Sequence, residues 1–219
     1  QKRRAIYQDM IRVLAALHSV DHVALGLQDY GKPGNYFGRQ IGRWSKQYLA
    51  AKTDEIVSME KLMEYLPNNV PVDDTTCIVH GDYRMENMLF HPTEPRVVAL
   101  LDWELSTLGH PLGDLAYTCI PFHFSAAGRL TLEGKIGPAT GIPTEEAYVT
   151  EYCRLTGRKT IPQWNFYLAF SFFRLSSICQ GVYKRGIMGN ASSTEALERG
   201  RMARALADIA WTLIEGRMT

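Results

Sequence analysis

The residues that could most readily do chemistry lie between His80 and Asp102. The run His80-Gly81-Asp82 is followed by Asn87, five positions after Asp82, and by Asp102, fifteen positions after Asn87. An amide oxygen and a carboxylate oxygen are hard ligands of the kind that Mg²⁺ takes when substrate phosphates complete its coordination. Asp82 would then be free to face an incoming hydroxyl group. This spacing therefore indicates metal-assisted phosphate chemistry.

A short strand and a hairpin are predicted to position these side chains. Residues 76–79 are apolar and β-branched, which is typical of a buried strand that ends where polar residues begin. Apolar segments at 88–90 and 97–101 flank a turn rich in breakers, and this pattern predicts a β-hairpin. The hairpin would carry Asp102 back beside Asn87.

The rest of the chain is predicted to be mainly helical, which gives an α+β fold class dominated by helices. Ser58 and Thr144 are candidate N-caps, and Gly157 is a candidate C-terminal stop. Apolar residues recur at helical spacing over residues 3–18, 36–52, 58–66, 144–157, 164–182 and 194–216.

The composition is that of a globular protein without a preference for a strongly charged partner. With 46% hydrophobic and 21% charged residues, the 219-residue chain can bury a sizeable core, which excludes disordered and fibrous classes. The formal net charge of +1 favours neither nucleic acid nor an anionic membrane. No apolar run reaches the roughly 18 residues of a spanning helix.

The cysteines indicate the compartment. Four widely spaced cysteines form no C-x-x-C pair and lie in mostly apolar surroundings, which favours reduced core thiols. We therefore expect an intracellular protein, located in the cytoplasm or, in a eukaryote, in an organelle.

Two features are candidates for substrate recognition. Residues 122–143 are rich in glycine and are predicted to form a loop-rich insertion, a type of segment that often gates or recognises substrate. Arg174 lies among aromatic residues, so it either pairs with a buried carboxylate or faces an anionic substrate. The sequence leaves both alternatives open.

A partial phosphate-loop motif at residues 26–32 is better explained as a surface connection. The segment satisfies G-x-x-x-x-G-K, but Pro33 stands where a Ser or Thr should bind Mg²⁺. Proline also removes a backbone N–H that such a loop would need, and no strong strand precedes the segment.

The order of strand, H-x-D-x-x-x-x-N, hairpin, Asp and helix resembles the catalytic half of the protein-kinase-like fold. Within that fold, the motifs at 80–82, 102–104 and 113–114 look like the aminoglycoside phosphotransferase and choline kinase branch. Residues 80–116 most resemble the kinase-like domain that accompanies an acyl-CoA dehydrogenase in some fusion enzymes. Weaker agreement covers most of the chain.

The resemblance implies an ATP- and Mg²⁺-dependent phosphotransferase with an alcohol acceptor. Asp82 would orient or deprotonate the acceptor hydroxyl, while Asn87 and Asp102 would hold Mg²⁺ on the phosphates of the co-substrate ATP. Glu104 would assist the metal shell. Arg84 would either meet the transferred phosphoryl group or form a plain salt bridge.

Two further residues are expected to be structural. The family resemblance makes His80 a buried histidine that holds the loop and not a catalytic base. Asp114 follows Pro111 in the first turn of a predicted helix, so we expect it to tie that helix to the loop and not to bind metal.

The resemblance also implies a second lobe. Family members bind ATP with an N-terminal lobe that contains a Gly-rich strand pair and a lysine–glutamate pair, and neither feature is found in the sequence. We therefore expect residues 1–219 to form the C-terminal lobe of such a kinase, with the N-terminal lobe apparently absent and with poor ATP affinity when isolated.

The resemblance also indicates the class of the acceptor, and two other functions are alternatives to phosphoryl transfer. By resemblance to the fusion enzymes, the acceptor would be a hydroxyacyl thioester and not an aminoglycoside, and a fused acyl-CoA dehydrogenase domain is an expected partner. One alternative is a truncated or pseudokinase module that binds substrate without turnover. A metal-dependent hydrolase would use Asp82, Asn87 and Asp102, but it would need further His or carboxylate ligands.

Overall fold

A computed structural model of the protein describes residues 1–124, 132–189 and 196–216. The described residues form an α+β fold in which helices dominate, as the sequence predicts. The helices are α1 (Lys2–His18), α2 (Tyr36–Ala51), α3 (Val57–Asn68), α4 (Pro111–Cys119), α5 (Glu145–Thr156), α6 (Trp164–Ile187) and α7 (Ala196–Glu215). The strands are β1 (Cys77–Val79), β2 (Met88–Phe90), β3 (Val97–Leu100) and β4 (Thr107–Gly109).

The strands form two small antiparallel sheets. The predicted hairpin is confirmed, because β2 pairs with β3 in a register that sets Met88 opposite Leu100. The predicted strand before His80 is also confirmed as β1, which pairs with β4 so that Val79 lies opposite Thr107. The sequence did not reveal β4, since three residues are too few to show an alternating pattern.

The chain divides into two compact units, and the first contains residues 1–34 and 75–162. In this unit α1 packs against α5 and β1, and α4 packs against β1. Asp9 on α1 accepts a hydrogen bond of 2.7 Å from the backbone N–H of Val97, where β3 begins. The Tyr83 hydroxyl donates to the carbonyl of Met10 over 2.6 Å. Helix α1 therefore holds both the hairpin and the loop after β1.

The second unit contains residues 35–74 and 163–219, within which 190–195 and 217–219 lie outside the described residues. Helices α6 and α7 pack along each other, and α2 packs against α6. A methyl group on Gly200 of α7 would lie 2.3 Å from Cβ of Tyr183 on α6, so a glycine permits the two helices to approach. The Phe37 ring on α2 lies 5.0 Å from that of Phe170.

Of the three predicted helix ends, those at Thr144 and Gly157 are confirmed and the one at Ser58 is wrong. Thr144 caps α5 by accepting a hydrogen bond from the N–H of Ala147, and Gly157 ends that helix at φ 72°. Ser58 is not the N-cap of α3, which begins one residue earlier with Ile56 at the cap position. The Ser58 hydroxyl instead donates to the carboxylate of Asp208 on α7.

The predicted insertion and the final helix extend beyond the described part of the chain. Residues 125–131 of the segment 122–143, and residues 194 and 195 of the helix expected over 194–216, lie outside it. Within the described remainder, a β-bridge joins Gly137 to Ile142. That the segment 122–143 gates or recognises substrate stays a prediction.

Arg174 makes a contact that neither sequence alternative included. The side chain is buried in the second unit, and its guanidinium carbon lies 5.4 Å from the centroid of the Trp44 ring. This geometry is that of a cation–π interaction.

All four cysteines are free thiols, and Cys77, Cys119 and Cys179 are buried. Burial raises the pKa of the Cys119 thiol well above its ordinary value, so this side chain behaves as a small apolar group. Among the helices of the described ranges, none is long and apolar enough to cross a membrane.

Candidate active site

The loop after β1 turns sharply because of Gly81. This residue has φ 83°, and a Cβ atom there would lie 2.4 Å from the carbonyl oxygen of Leu105. Both the left-handed backbone and the lack of space require glycine. The chain can therefore leave the buried strand β1 at Val79 and present Asp82 after only two intervening residues.

Asp82 and Asn87 lie together, as their spacing predicts. The Asn87 amide Nδ2 donates to the Asp82 carboxylate Oδ2 over 2.7 Å and to the Asp82 carbonyl over 3.0 Å. The Arg84 Nε donates to the same Oδ2 over 3.1 Å. Across the described ranges, Oδ1 of Asp82 and Oδ1 of Asn87 accept no hydrogen bond from the protein, so each oxygen can meet an external group.

The hairpin brings the segment that carries Asp102 to Asn87. The backbone N–H of Leu101 donates to the Asn87 carbonyl over 2.9 Å, which sets the residue before Asp102 against Asn87. Asp102 adopts a left-handed backbone with φ 64°. This conformation is rare for residues other than glycine, and such strain is concentrated at functional sites.

Asp102 and Glu104 are both exposed. Neither carboxylate forms a hydrogen bond or an ion pair with the rest of the described chain. In the same part of the chain, no group of three or more His, Cys, Asp or Glu side chains is arranged to hold a metal. The oxygen donors at this site are therefore carboxylates and the amide of Asn87.

Arg84 forms a salt bridge, which is one of the two alternatives predicted for it. Its partner is Asp82, and 44% of the Arg84 side chain is exposed. Burial alone would lower the pKa of the Arg84 guanidinium, but the charge of Asp82, together with the hydrogen bond to Asp82 and the charges of other neighbouring groups, outweighs that effect and raises the pKa. Arg84 therefore stays cationic beside the carboxylate, where it could also contact a phosphate.

His80 bridges the two segments of the site and is fully buried. Its Nε2 lies 2.9 Å from the carbonyl oxygen of Leu101, so Nε2 must carry the proton. Its Nδ1 then accepts the backbone N–H of Asp82 over 3.2 Å. With both nitrogens occupied by the backbone, His80 holds the Asp82 loop to the end of the hairpin.

Asp114 anchors the same loop from the first turn of α4. Its Oδ2 accepts the N–H of His80 over 2.6 Å, and its Oδ1 accepts the N–H of Gly81 over 2.9 Å. Burial alone would raise the pKa of Asp114, but the hydrogen bond and charge of His18 and the two backbone N–H groups hold it below its ordinary value. The carboxylate is therefore ionised and directed at the backbone.

Sequence reasoning missed His18 and Tyr152, which lie behind Asp114. The His18 ring contacts the Asp114 carboxylate over 3.4 Å and the Tyr152 hydroxyl over 2.7 Å. A signal was present, because His18 falls on the buried face of α1, four residues after Leu14. A histidine on an apolar helical face needs a polar partner inside the protein.

A cavity of about 460 Å³ lies elsewhere in the first unit, between α1, α5 and the turn at 137–143. Its walls include Arg4, Tyr7, Tyr148 and Glu151. None of the candidate catalytic or metal-binding residues lines this cavity, but residues within 137–143 of the predicted insertion and the N-cap Thr144 do.

The fold is shared with a family of phosphotransferases. The model of the phosphotransferase enzyme family matches residues 1–148, and the chain belongs to that family. It is 45% identical over 212 residues to acyl-CoA dehydrogenase family member 10 of Mus musculus, covering 96% of this chain and 20% of the mouse protein. The resemblances to the aminoglycoside phosphotransferase branch and to the domain found with acyl-CoA dehydrogenases are thereby confirmed.

Two solved structures share the fold. A protein of Ralstonia eutropha, proposed to be an aminoglycoside phosphotransferase, is 52% identical with a TM-score of 0.94, covering 98% of this chain and 66% of that chain. A spectinomycin phosphotransferase in complex with ADP and spectinomycin is 15% identical with a TM-score of 0.57, covering 95% of this chain and 65% of that chain.

Proposed function

We propose that the chain carries the metal and acceptor site of an enzyme that transfers the γ-phosphoryl group of ATP to a hydroxyl group of a small molecule. The observation that supports this most is the hydrogen-bonded cluster of Asp82, Asn87 and Leu101, which sets the residue before Asp102 against Asn87. Phosphoryl transfer depends on positioning and on charge neutralisation, and this cluster offers both.

The oxygen donors fit a magnesium ion bound to nucleotide phosphates. The carboxylate of Asp102 and Oδ1 of Asn87 are hard oxygen ligands that make no competing hydrogen bond within the described residues. Magnesium at such sites takes one or two protein ligands and fills its shell with phosphate oxygens and water. The ion would neutralise the charge of the phosphates, and Glu104, an exposed carboxylate two residues after Asp102, would support its shell.

Asp82 would accept the proton of the acceptor hydroxyl. The hydrogen bonds from Asn87 and Arg84 both go to its Oδ2, so the carboxylate is fixed while Oδ1 remains able to accept another hydrogen bond. A positioned carboxylate of this kind orients the hydroxyl and takes its proton as the new P–O bond forms. Arg84, released from Asp82 or bridging it, would contact the transferred phosphoryl group.

His80 and Asp114 would act through the backbone. Each holds the loop at Gly81 and Asp82 by hydrogen bonds to main-chain groups, so neither needs to touch substrate. Such support keeps the carboxylate within the narrow range of geometry that phosphoryl transfer tolerates.

We propose that residues 1–219 correspond to the C-terminal lobe of a protein-kinase-like phosphotransferase. The ADP complex of the spectinomycin enzyme, which shares the fold, supports a nucleotide as the phosphoryl donor. An N-terminal lobe would supply the remaining contacts to ATP. The assay should therefore use the full-length protein in which the chain occurs.

The acceptor proposed here is a hydroxyacyl thioester. The support is the 45% identity to a protein named as an acyl-CoA dehydrogenase family member, of which the chain spans 20%. A fused dehydrogenase that consumes acyl thioesters would make a hydroxylated thioester the natural substrate of a neighbouring kinase. An aminoglycoside is the second candidate, because the Ralstonia eutropha protein is proposed to be an aminoglycoside phosphotransferase.

The test is phosphoryl transfer from Mg·ATP to a panel of hydroxyacyl thioesters and aminoglycosides. The wild-type full-length protein, an Asp102→Asn variant and a Glu86→Gln control would be compared, since Glu86 is an exposed acid in the same loop. We expect transfer to a thioester, its loss in Asp102→Asn and its retention in Glu86→Gln. Absence of transfer to every acceptor by the wild-type protein would favour a binding module without turnover and would overturn the proposal.

A further inference from the structure

Two buried side chains connect helices α5 and α1 to the loop that carries Asp82. The Tyr152 hydroxyl lies 2.7 Å from Nδ1 of His18, and Nε2 of His18 lies 3.4 Å from Oδ2 of Asp114. That same Oδ2 accepts the N–H of His80 over 2.6 Å. A continuous path of hydrogen bonds therefore runs from α5 through α1 to the backbone beside Asp82.

The chemistry of the groups fixes the direction of each hydrogen bond. The ionised Asp114 carboxylate can only accept, so Nε2 of His18 must donate to it. In a neutral ring Nδ1 then accepts, and the Tyr152 hydroxyl donates to it; in an imidazolium the hydroxyl accepts instead. The phenol can serve both charge states of His18, and burial raises the pKa of Tyr152, which keeps its proton at neutral pH.

The burial of the path makes its hydrogen bonds costly to lose. The His18 and Asp114 side chains are 2% and 1% exposed, and Tyr152 is 1% exposed. A buried polar group left without its partner costs more free energy than an exposed one, because water cannot replace the lost bond. The orientation of Asp114 is thus determined from two sides, by the loop that it holds and by His18.

We propose that His18 and Tyr152 are positioning residues for the phosphotransferase reaction, acting through Asp114 on the His80–Asp82 loop. This inference rests on the proposed function. Tyr152 holds the ring plane of His18 through Nδ1, and His18 in turn orients the Asp114 carboxylate that receives the N–H groups of His80 and Gly81. Neither residue contacts substrate in this scheme.

The test uses Tyr152→Phe, which removes one hydroxyl and keeps the packing, with Tyr148→Phe on the same helix as a matched control. In the full-length protein we expect Tyr152→Phe to lower kcat on the order of tenfold with KM for ATP unchanged, as loss of supporting hydrogen bonds around a site usually does. We also expect the amide proton resonances of His80 and Gly81 to shift. Tyr148→Phe should change neither readout.

A second pair of variants tests His18. His18→Gln keeps an N–H that can donate to Asp114, whereas His18→Leu does not, so kcat should be higher in His18→Gln than in His18→Leu. Equal kcat values for these two variants would overturn the proposal. So would wild-type amide resonances of His80 and Gly81 in a folded Tyr152→Phe protein. If the wild-type protein transfers no phosphoryl group, the proposed function fails, but the amide resonances still decide whether the path positions the loop.

Discussion

Asn87 donates a hydrogen bond of 2.7 Å from its amide Nδ2 to Oδ2 of Asp82. The bond fixes the rotation of both side chains, so Oδ1 of the amide and Oδ1 of the carboxylate remain for external groups. Oδ1 of Asn87 is suited to a cation, and Oδ1 of Asp82 is suited to a hydroxyl group. A single contact therefore sets the two proposed functions, cation binding and hydroxyl binding, relative to each other.

Replacing Asn87 should affect both functions. Asn87→Ala removes the proposed metal ligand and the hydrogen bond that orients Asp82, so we expect kcat to fall about 10²-fold or more. We also expect a higher Mg²⁺ concentration at half-maximal rate. The measurement is the phosphoryl transfer rate as a function of Mg²⁺ at saturating ATP. A variant with wild-type Mg²⁺ dependence would show that Asn87 is not a ligand.

Gly81→Ala should destabilise the first unit strongly. The new Cβ would lie 2.4 Å from the Leu105 carbonyl in a backbone at φ 83°, so strain and overlap add. We expect a loss of about 2 kcal/mol or more in the free energy of unfolding, measured by urea denaturation. Gly134→Ala is the matched control, because that residue has φ 68° but nothing within 4 Å of the added atom. Equal losses in both variants would show that only backbone strain matters.

Asp114 should make stability depend on pH in the acid range. Its pKa is lower in the folded protein than in the unfolded chain, so its contribution is fully present above the unfolded value of about 3.9 and is lost as pH falls through the folded value. Compared with Asp114→Asn, the wild-type protein should therefore hold its largest advantage at neutral pH and lose it below about pH 4. Unfolding free energies of both proteins across this range are the measurement. A constant difference at every pH would contradict the shift.

The two candidate N-caps should respond differently to alanine. Thr144→Ala removes a hydroxyl that accepts the N–H of Ala147 at the start of α5, so we expect a loss of about 1 kcal/mol. Ser58→Ala removes an exposed contact to Asp208 and no cap, so the loss should be smaller. Thermal unfolding of both variants provides the comparison. A larger loss for Ser58→Ala would mean that its contact to α7 outweighs helix capping.

These two residues also show how far the sequence could predict the fold. The capping of α5 is a local interaction between residues three positions apart, so the pattern around Thr144 was sufficient. Ser58 has the right residue type, but its partner lies 150 positions away, and no local pattern reveals such a contact. The hairpin was predictable for the same reason as Thr144, because its turn and its apolar strands lie within one short segment.

The residues of the candidate site also fall into two groups: those that a local sequence pattern reveals and those whose partners are distant in sequence. Asp82, Asn87 and Asp102 could be selected from their types and spacing, and the structure brings the segments that carry them together. His18, Tyr152 and strand β4 were missed because each gains its role from a partner distant in sequence. Buried polar residues on apolar helical faces are the one local signal of such contacts, and His18 shows it.

The rate of phosphoryl transfer in a single turnover tests the central claim most directly. The full-length wild-type protein and an Asp82→Asn variant would each be mixed with Mg·ATP and the acceptor, and phosphorylated product would be quantified by rapid quench. We expect both proteins to bind nucleotide equally and the variant to transfer the phosphoryl group about 10²-fold more slowly or worse, because it lacks the carboxylate that takes the hydroxyl proton. Equal transfer rates would contradict the assignment of Asp82.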